Sequence, residues 1–255
     1  MTAGVDHPAR TTPYARAVFA QARMEARLLV RSAESLVVTL GIPLGVLVFF
    51  SSVDVLPTGE QRPVDFLVPG VLAISVAATG LVAVAIQTAF ERKYGVLKRL
   101  GGTPLPRWGF LAAKGLAVAA ILTVQSALIV GIAALVLDWR PAGGALVLPL
   151  GVGLGAVTFT AIGLLLAGSL RAEGTLAVSN ALFLVLLLVS GVAFDAGALP
   201  PAVAVVGQAL PVGALGEVLR VGASGQGVAL AAVGVLAGWG LVAIAIAART
   251  FRWEP

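Results

Sequence analysis

The side chains that could carry chemistry are concentrated in one charged segment, residues 91–107, which reads Glu-Arg-Lys-Tyr-Gly-Val-Leu-Lys-Arg-Leu-Gly-Gly-Thr-Pro-Leu-Pro-Arg. Five of its residues are lysine or arginine, and long apolar runs flank it on both sides. Charged side chains are costly inside hydrocarbon, so the segment must lie in water between two membrane spans. Between 91 and 100 only Gly95 opposes a helix, and the glycine pair at 101–102 and the prolines after it would end one. The pattern predicts a short, charged helix at 91–100, a surface that another protein could bind and move.

The chain lacks the residue patterns that catalysis or metal binding would need. It has no cysteine, and its single histidine, His7, lies in a polar N-terminal stretch, so no thiolate or histidine metal site is expected. A phosphate-binding loop needs the pattern Gly-x-x-x-x-Gly-Lys-Ser/Thr, and none of the three lysines (Lys93, Lys98 and Lys114) follows a glycine. We therefore expect no catalytic residue and no cofactor in this chain. If the chain does uphill work, the nucleotide chemistry would belong to a partner protein.

The composition is that of an integral membrane protein. The apolar fraction is 59%, the charged fraction is 11% and the mean hydropathy is +1.02, whereas a soluble domain contains about 25% charged residues. The formal net charge is +5. Because the cations flank apolar runs, this charge favours the headgroups of membrane lipids as partners and argues against nucleic acid.

Six apolar runs are long enough to cross a bilayer, which takes roughly 20 residues each. We place the spans at 36–53, 66–90, 108–137, 145–170, 175–194 and 228–248. Outside them, thirteen lysines and arginines lie on the side of the 91–107 segment and the termini, and only three lie on the other side. The positive-inside rule therefore makes both termini cytoplasmic. The predicted fold is an all-α membrane protein with six transmembrane helices.

Two segments outside the spans also have helical patterns. Residues 1–13 have the composition of a disordered tail, and residues 14–34 predict a basic amphipathic helix on the inner membrane surface, with a soluble surface helix as the alternative. Residues 195–227 are apolar but interrupted, which predicts a re-entrant external helical hairpin before the last span, or else a loop on the lipid surface. We expect its second helix to end at Gly222. Pro200 and Pro201 can start the first helix of the hairpin, and Pro211 can break the chain after it. Glu217 and Arg220 are three residues apart and could form an ion pair within the second helix.

The polar residues within the predicted spans include no aspartate or glutamate, which disfavours an ion-coupled carrier. Four uncharged groups are candidates for a substrate path, with hydrogen bonding between helices as the alternative: Ser75, Thr79, Ser179 and Asn180. Apolar walls with a few such groups would suit an amphipathic substrate. Lys114 lies about 9 Å inside the third span. Its ammonium either reaches back to the cytoplasmic interface or holds the 91–100 helix.

Two groups of residues form motifs that match a known family. The first comprises Glu91, Arg92, Gly95, Leu97, Leu100, Thr103, Pro104 and Lys114. The second follows the fifth span and comprises Ser190, Gly191, Phe194, Leu199, Pro200, Pro201, Leu210, Pro211, Leu219 and Arg220. In both motifs the chain resembles ABC-2 type permeases, the membrane subunits of ATP-binding-cassette exporters. Its six spans, its N-terminal helix and its length are similar as well, although residues 193–196 depart from the Phe-Pro that relatives often carry.

The resemblance implies a permease of the bacterial or archaeal cytoplasmic membrane that has no ATPase activity of its own. It also implies that the permease pairs with a second permease, identical or homologous, and with separate ATPase subunits. It implies that 91–100 is the coupling helix and that the first motif transmits the ATPase movement. The short external loops are similar to those of the drug- and antibiotic-exporting branch, so the expected activity is ATP-driven export of an amphipathic substrate. A lipid or polysaccharide exporter is one alternative, and a channel or scaffold outside the family is another.

Overall fold

The structure of the chain is a computed structural model, in which residues 14–30, 41–52, 62–101, 107–143, 146–192 and 200–250 are described. These ranges are helical and contain no β-strand. The helices are α1 (Tyr14–Val30), α2 (Ile42–Ser52), α3 (Pro63–Lys93), α4 (Val96–Gly101), α5 (Arg107–Val136), α6 (Val147–Ser169), α7 (Ala172–Val189), α8 (Pro201–Ala209), α9 (Pro211–Ser224) and α10 (Leu230–Thr250).

Five of these helices are long and apolar enough to cross a membrane, and their mean hydropathies lie between 1.9 and 2.3. They are α3, α5, α6, α7 and α10, and they overlap the second to sixth predicted spans. The pair α8 and α9 is also long and apolar enough to cross a membrane if it is counted as one span, but it is bent by 86°. Of the first predicted span, the structure describes only α2. The expectation of an all-helical membrane protein is confirmed.

The core lies along α3 and α6, which are the two most buried of the five long helices. Helix α6 packs against α3, α5, α9 and α10, and α9 also packs against α3. Buried apolar side chains fill these contacts, including Leu72, Leu81, Phe159, Leu215 and Leu236. The other long helices expose apolar side chains, as expected where lipid is the solvent.

Glycines allow α3 and α6 to approach closely. A Cβ added at Gly80 would lie 2.8 Å from the Cβ of Phe159, and one added at Gly163 would lie 2.7 Å from the carbonyl oxygen of Gly80. At this level α3 widens into one stretch of π-helix, Ala78–Ala83. Such stretches interrupt the regular hydrogen-bond ladder and occur often at functional sites.

Two details differ from the sequence-based expectation. The segment 91–100 is not one helix, because α3 continues through Lys93, a turn follows at Tyr94–Gly95, and the short helix α4 begins at Val96. Gly95 has φ +72°, a left-handed conformation that ends a helix and strongly favours glycine. In the segment predicted to form the hairpin, α8 ends at Ala209 and Leu210 separates it from α9. Helix α9 runs past Gly222 to Ser224, however, and ends at Gly225 with φ +75°.

Candidate coupling site

A group of buried polar side chains joins α1, α3 and α5; we call these residues, Glu25, Gln87, Glu91 and Lys114, the charged cluster. The ammonium of Lys114 lies 2.7 Å from Glu25 Oε2 and 2.9 Å from Glu91 Oε2. The amide of Gln87 donates to Glu25 at 3.2 Å and to Glu91 at 2.8 Å. The side chains of Lys114 and Glu25 are each 3% exposed, and that of Glu91 is 13% exposed.

The position of Lys114 decides between the two roles left open for it. Its ammonium points at two carboxylates within the protein, lies 5.4 Å from the centre of the Phe110 ring and has little exposure to solvent. Lys114 holds the C-terminal end of α3, through Glu91, and the N-terminal helix α1, through Glu25.

Sequence reasoning did not single out Glu25, although a signal was present. Val18, Ala22 and Glu25 recur at helical spacing and form the buried face of α1, which packs against Ala113 of α5. Tyr14 and Trp108 add a ring contact at 6.4 Å between the same two helices. A carboxylate on an otherwise apolar face needs a buried cation, and Lys114 is buried within reach. Phe19, an apolar residue of the same helix, lies outside this face and is 71% exposed.

Arg92 and Lys93 attach the end of α3 to the turn between α6 and α7. Arg92 is 7% exposed and donates hydrogen bonds to the carbonyl oxygens of Gly168, at 3.0 Å, and Leu170. These carbonyls lie at the C-terminus of α6, where a helix has unpaired acceptors and favours a cation. Lys93 forms an exposed ion pair with Glu173 at the start of α7. Arg92, which the resemblance places in the motif that transmits the ATPase movement, binds within the chain.

The turn and α4 present a compact surface next to the charged cluster. Tyr94 is 67% exposed, Val96 is 40% exposed, and the side chains of Lys98 and Arg99 are exposed as well. We call these four residues the exposed face. Leu97, between them, is fully buried and fixes α4 to the bundle. Of the other residues of the first motif, Leu100 lies in α4, and Thr103 and Pro104 lie outside the described residues.

The four residues considered for a substrate path have different surroundings. Thr79 is buried and donates to Gln125 of α5 at 3.3 Å, and Ser75 is buried one turn earlier on α3. Ser179 is buried and Asn180 is exposed, and both donate to the carbonyl oxygen of Leu176 in their own helix. Only Thr79 joins two helices through a hydrogen bond of its side chain. The substrate path stays a prediction.

The hairpin residues have the geometry that their types suggest. Pro200 precedes the first turn of α8, Pro201 begins it, and Pro211 begins α9, positions where a missing N–H costs no hydrogen bond. Glu217 and Arg220 lie 3.8 Å apart, and the guanidinium of Arg220 also lies over the ring of Phe66 at 5.6 Å. The hairpin is thereby joined to the start of α3.

The comparison with known families supports the same class of protein. A family model described as ABC-2 type transporter matches residues 16–223, which is most of the chain. The chain therefore belongs to the ABC-2 type transporter family. It is a multi-pass membrane permease, a class of subunit that is usually non-catalytic and generally works with an ATP-binding-cassette ATPase. Among curated proteins, none matches the chain.

Proposed function

We propose that this chain is the membrane subunit of an ATP-driven exporter, and that its ATPase partner binds the exposed face formed by Tyr94, Val96, Lys98 and Arg99. ATP and magnesium are bound by that partner, and this chain supplies the transmembrane path. A second permease, identical or homologous, completes the transporter. The cationic and aromatic side chains of the exposed face suit a polar protein surface with acidic groups.

The observation that carries the proposal is the position of the charged cluster directly before the exposed face. Glu91 precedes Tyr94 by three residues and is bound to Lys114, which is bound in turn to Glu25. A force applied at α4 therefore acts on a helix end that is braced by α1 and α5. Buried, hydrogen-bonded ion pairs resist separation, because breaking one leaves an uncompensated charge.

The export of an amphipathic substrate such as a drug or antibiotic is supported by an apolar cavity of about 410 Å³ between α3, α5 and α6. Its walls include Leu72, Val130 and Val152, and its hydroxyl groups come from Thr123 and Ser126. An apolar pocket of this size with few polar groups suits a small molecule with a large apolar part. A lipid would satisfy the same description, so a lipid or polysaccharide exporter is the second candidate.

The orientation of the proposed exporter follows from charge. The exposed face and the basic residues of α1, among them Arg16, Arg23 and Arg27, would lie in the cytoplasm of a bacterial or archaeal cell. On α1, exposed Phe19 and Met24 flank the buried face, and the arginines point away from it. A helix of this kind can lie at the inner membrane surface with its cations among lipid phosphates.

The direct test reverses the charge of the exposed face. In the variant Lys98→Glu/Arg99→Glu, we expect the ATPase partner to stop co-purifying with the permease, and ATP-dependent uptake of a fluorescent amphiphile into inside-out vesicles to stop. Both side chains are exposed, so the folded chain should be unaffected. The matched control is Arg249→Glu, an exposed arginine at the end of α10.

Two outcomes would count against parts of the proposal. Normal co-purification and uptake by the double variant would show that the ATPase does not use the exposed face. Uptake of a labelled lipid or lipid-linked sugar by wild-type vesicles, with no uptake of soluble amphiphiles, would replace the drug-exporter assignment with the second candidate.

A further inference from the structure

Three parts of the chain enclose a second cavity, of about 470 Å³, far from the coupling site; we call it the arginine pocket. It is lined by Arg62, Asp65, Phe66, Arg140, Glu217 and Arg220. These residues come from the start of α3, the loop after α5 and the second half of α9. Helix α3 has 31 residues, so its two ends are about 45 Å apart and the pocket lies at the opposite membrane surface from the exposed face.

The walls of the arginine pocket are fixed to one another. The backbone N–H of Gly143, in the loop between α5 and α6, donates to the carbonyl oxygen of Ala223 in α9 at 3.1 Å. Arg62 donates to the carbonyl oxygen of Asp138 at 3.4 Å, which joins the start of α3 to the same loop. Trp139, beside these groups, is 1% exposed. The pocket is thus a built feature of the bundle end and not a gap between loose loops.

Both signs of charge line the pocket, and all three arginines that the positive-inside count assigns to this side meet in it. Each has a carboxylate partner: Asp65 at 3.2 Å from Arg62, Asp138 at 3.3 Å from Arg140, and Glu217 at 3.8 Å from Arg220. The hydrogen bond and charge of Asp65 raise the pKa of Arg62, so its guanidinium stays charged. The Arg140 side chain is 86% exposed and that of Asp138 is 78% exposed.

Exposed ion pairs of this kind contribute little to stability, so a ligand can replace one partner at small cost. A guanidinium released from a carboxylate can bind a phosphate through two parallel hydrogen bonds. The carboxylates then remain available for a cation. Phe66, against which Arg220 is stacked, adds an apolar surface at the membrane side of the pocket.

We propose that the arginine pocket binds the zwitterionic headgroup of a membrane phospholipid. Arg62 and Arg140 bind its phosphate, and Glu217 and Asp65 bind its ammonium group. The end of the helical bundle places the pocket at the level of the headgroups, whichever way the chain is inserted. A purely anionic lipid would meet the carboxylates without a compensating cation, and an uncharged lipid would leave the arginines without a phosphate.

The experiment uses the full-length chain purified in detergent, with added phosphatidylethanolamine, phosphatidylglycerol or diacylglycerol, and native mass spectrometry to measure the bound lipid. For the wild type we expect phosphatidylethanolamine to be retained about tenfold more than either of the others, the factor that one charge-assisted hydrogen bond supplies. In Arg62→Gln/Arg140→Gln this retention should fall about tenfold. Glu217→Gln should still retain phospholipid but lose the preference for phosphatidylethanolamine over phosphatidylglycerol.

Arg249→Gln, an exposed arginine outside the pocket, is the matched control and should behave as the wild type. If the double variant fails to fold, Arg140→Gln alone decides, because that side chain is almost fully exposed. Equal retention of the three lipids by the wild type, a preference for phosphatidylglycerol, or wild-type retention by the arginine variants would each overturn the proposal. Loss of ATPase binding in the exposed-face variant has no bearing on it, so the two proposals fail separately.

Discussion

Replacing Lys114 by methionine should destabilise the folded chain strongly, because Lys114 is the only cation among the four residues of the charged cluster. Methionine keeps most of the volume of the side chain but leaves Glu25 and Glu91 as neighbouring carboxylates with almost no access to water. At 2.7 and 2.9 Å, each contact is worth about 6 kcal/mol of attraction at an effective dielectric constant near 20. The cost of removing the three charges from water offsets much of this. The loss of unfolding free energy should therefore be about 3–5 kcal/mol, the usual cost of removing one member of a buried pair.

The assay is reversible unfolding in mixed micelles, with the wild type and the variant compared at one protein concentration. Lys93→Met is the matched control, since Lys93 is also ion-paired but its side chain is 46% exposed. We expect that control to differ little from the wild type, because exposed pairs contribute little. The triple variant Glu25→Gln/Glu91→Gln/Lys114→Met should recover most of the lost stability, since it replaces all three charges together.

A loss in Lys114→Met no larger than that in Lys93→Met would refute the reasoning, because it would mean that the cluster is open to water. Failure of the triple variant to recover stability would show that the loss arises from packing around residue 114 and not from unpaired charge. The triple variant also separates stability from coupling, because we expect it to fold and yet to transport poorly when its ATPase hydrolyses ATP.

Three further predictions concern the backbone and the end of α3, and the two glycine substitutions each have a control from the same chain. Gly95→Ala should lower the free energy of unfolding by about 1 kcal/mol, because φ at this residue is +72° although no neighbour lies within 4 Å of the added Cβ. The control Gly115→Ala is equally open but lies inside α5, so it should be neutral or stabilising in the same unfolding assay. Gly163→Ala should lower the free energy of unfolding by about 1–3 kcal/mol, because the added Cβ forces α6 away from the backbone of α3. The control Gly153→Ala lies on the same helix with no atom within 4 Å of the added Cβ, and it should not lower the free energy of unfolding. Equal effects of the two substitutions would contradict the close approach of α3 and α6. Arg92→Met should lower the free energy of unfolding by about 1–3 kcal/mol, because it removes the guanidinium donor from the carbonyl oxygens of Gly168 and Leu170. It should also speed hydrogen exchange at the turn between α6 and α7.

The elements that the sequence predicts well are those set by local composition. Long apolar runs place α3, α5, α6, α7 and α10, because backbone groups in a membrane must be paired within the helix. Proline fixes the break between α8 and α9 for an equally local reason. The ion pair of Glu217 and Arg220 follows from their spacing of three residues on one helix.

What the sequence predicts poorly depends on partners far along the chain. Glu25 and Lys114 are 89 residues apart, and no local pattern shows that they meet. The direction of Arg92 depends on where α6 ends, 76 residues later. The division of 91–100 into two helices was indicated by Gly95, but a lone glycine is tolerated in many helices, and only the tertiary arrangement makes this one the boundary.

The arrangement around the end of α3 restricts how any movement of α4 can spread. Arg92 attaches that end to the C-terminus of α6, and Glu91 attaches it through Lys114 to α5 and α1. The end of α3 cannot move alone without exposing or separating buried charges, which is strongly unfavourable. Near this end the chain bends most easily at the turn Tyr94–Gly95, because no atom would lie within 4 Å of a Cβ added at Gly95. We therefore expect small displacements of α4 to be absorbed at this turn. Larger displacements should move α1, α5 and the turn between α6 and α7 as one unit. Spin labels on α1 and α5 should then keep their mutual distance while both move relative to α10.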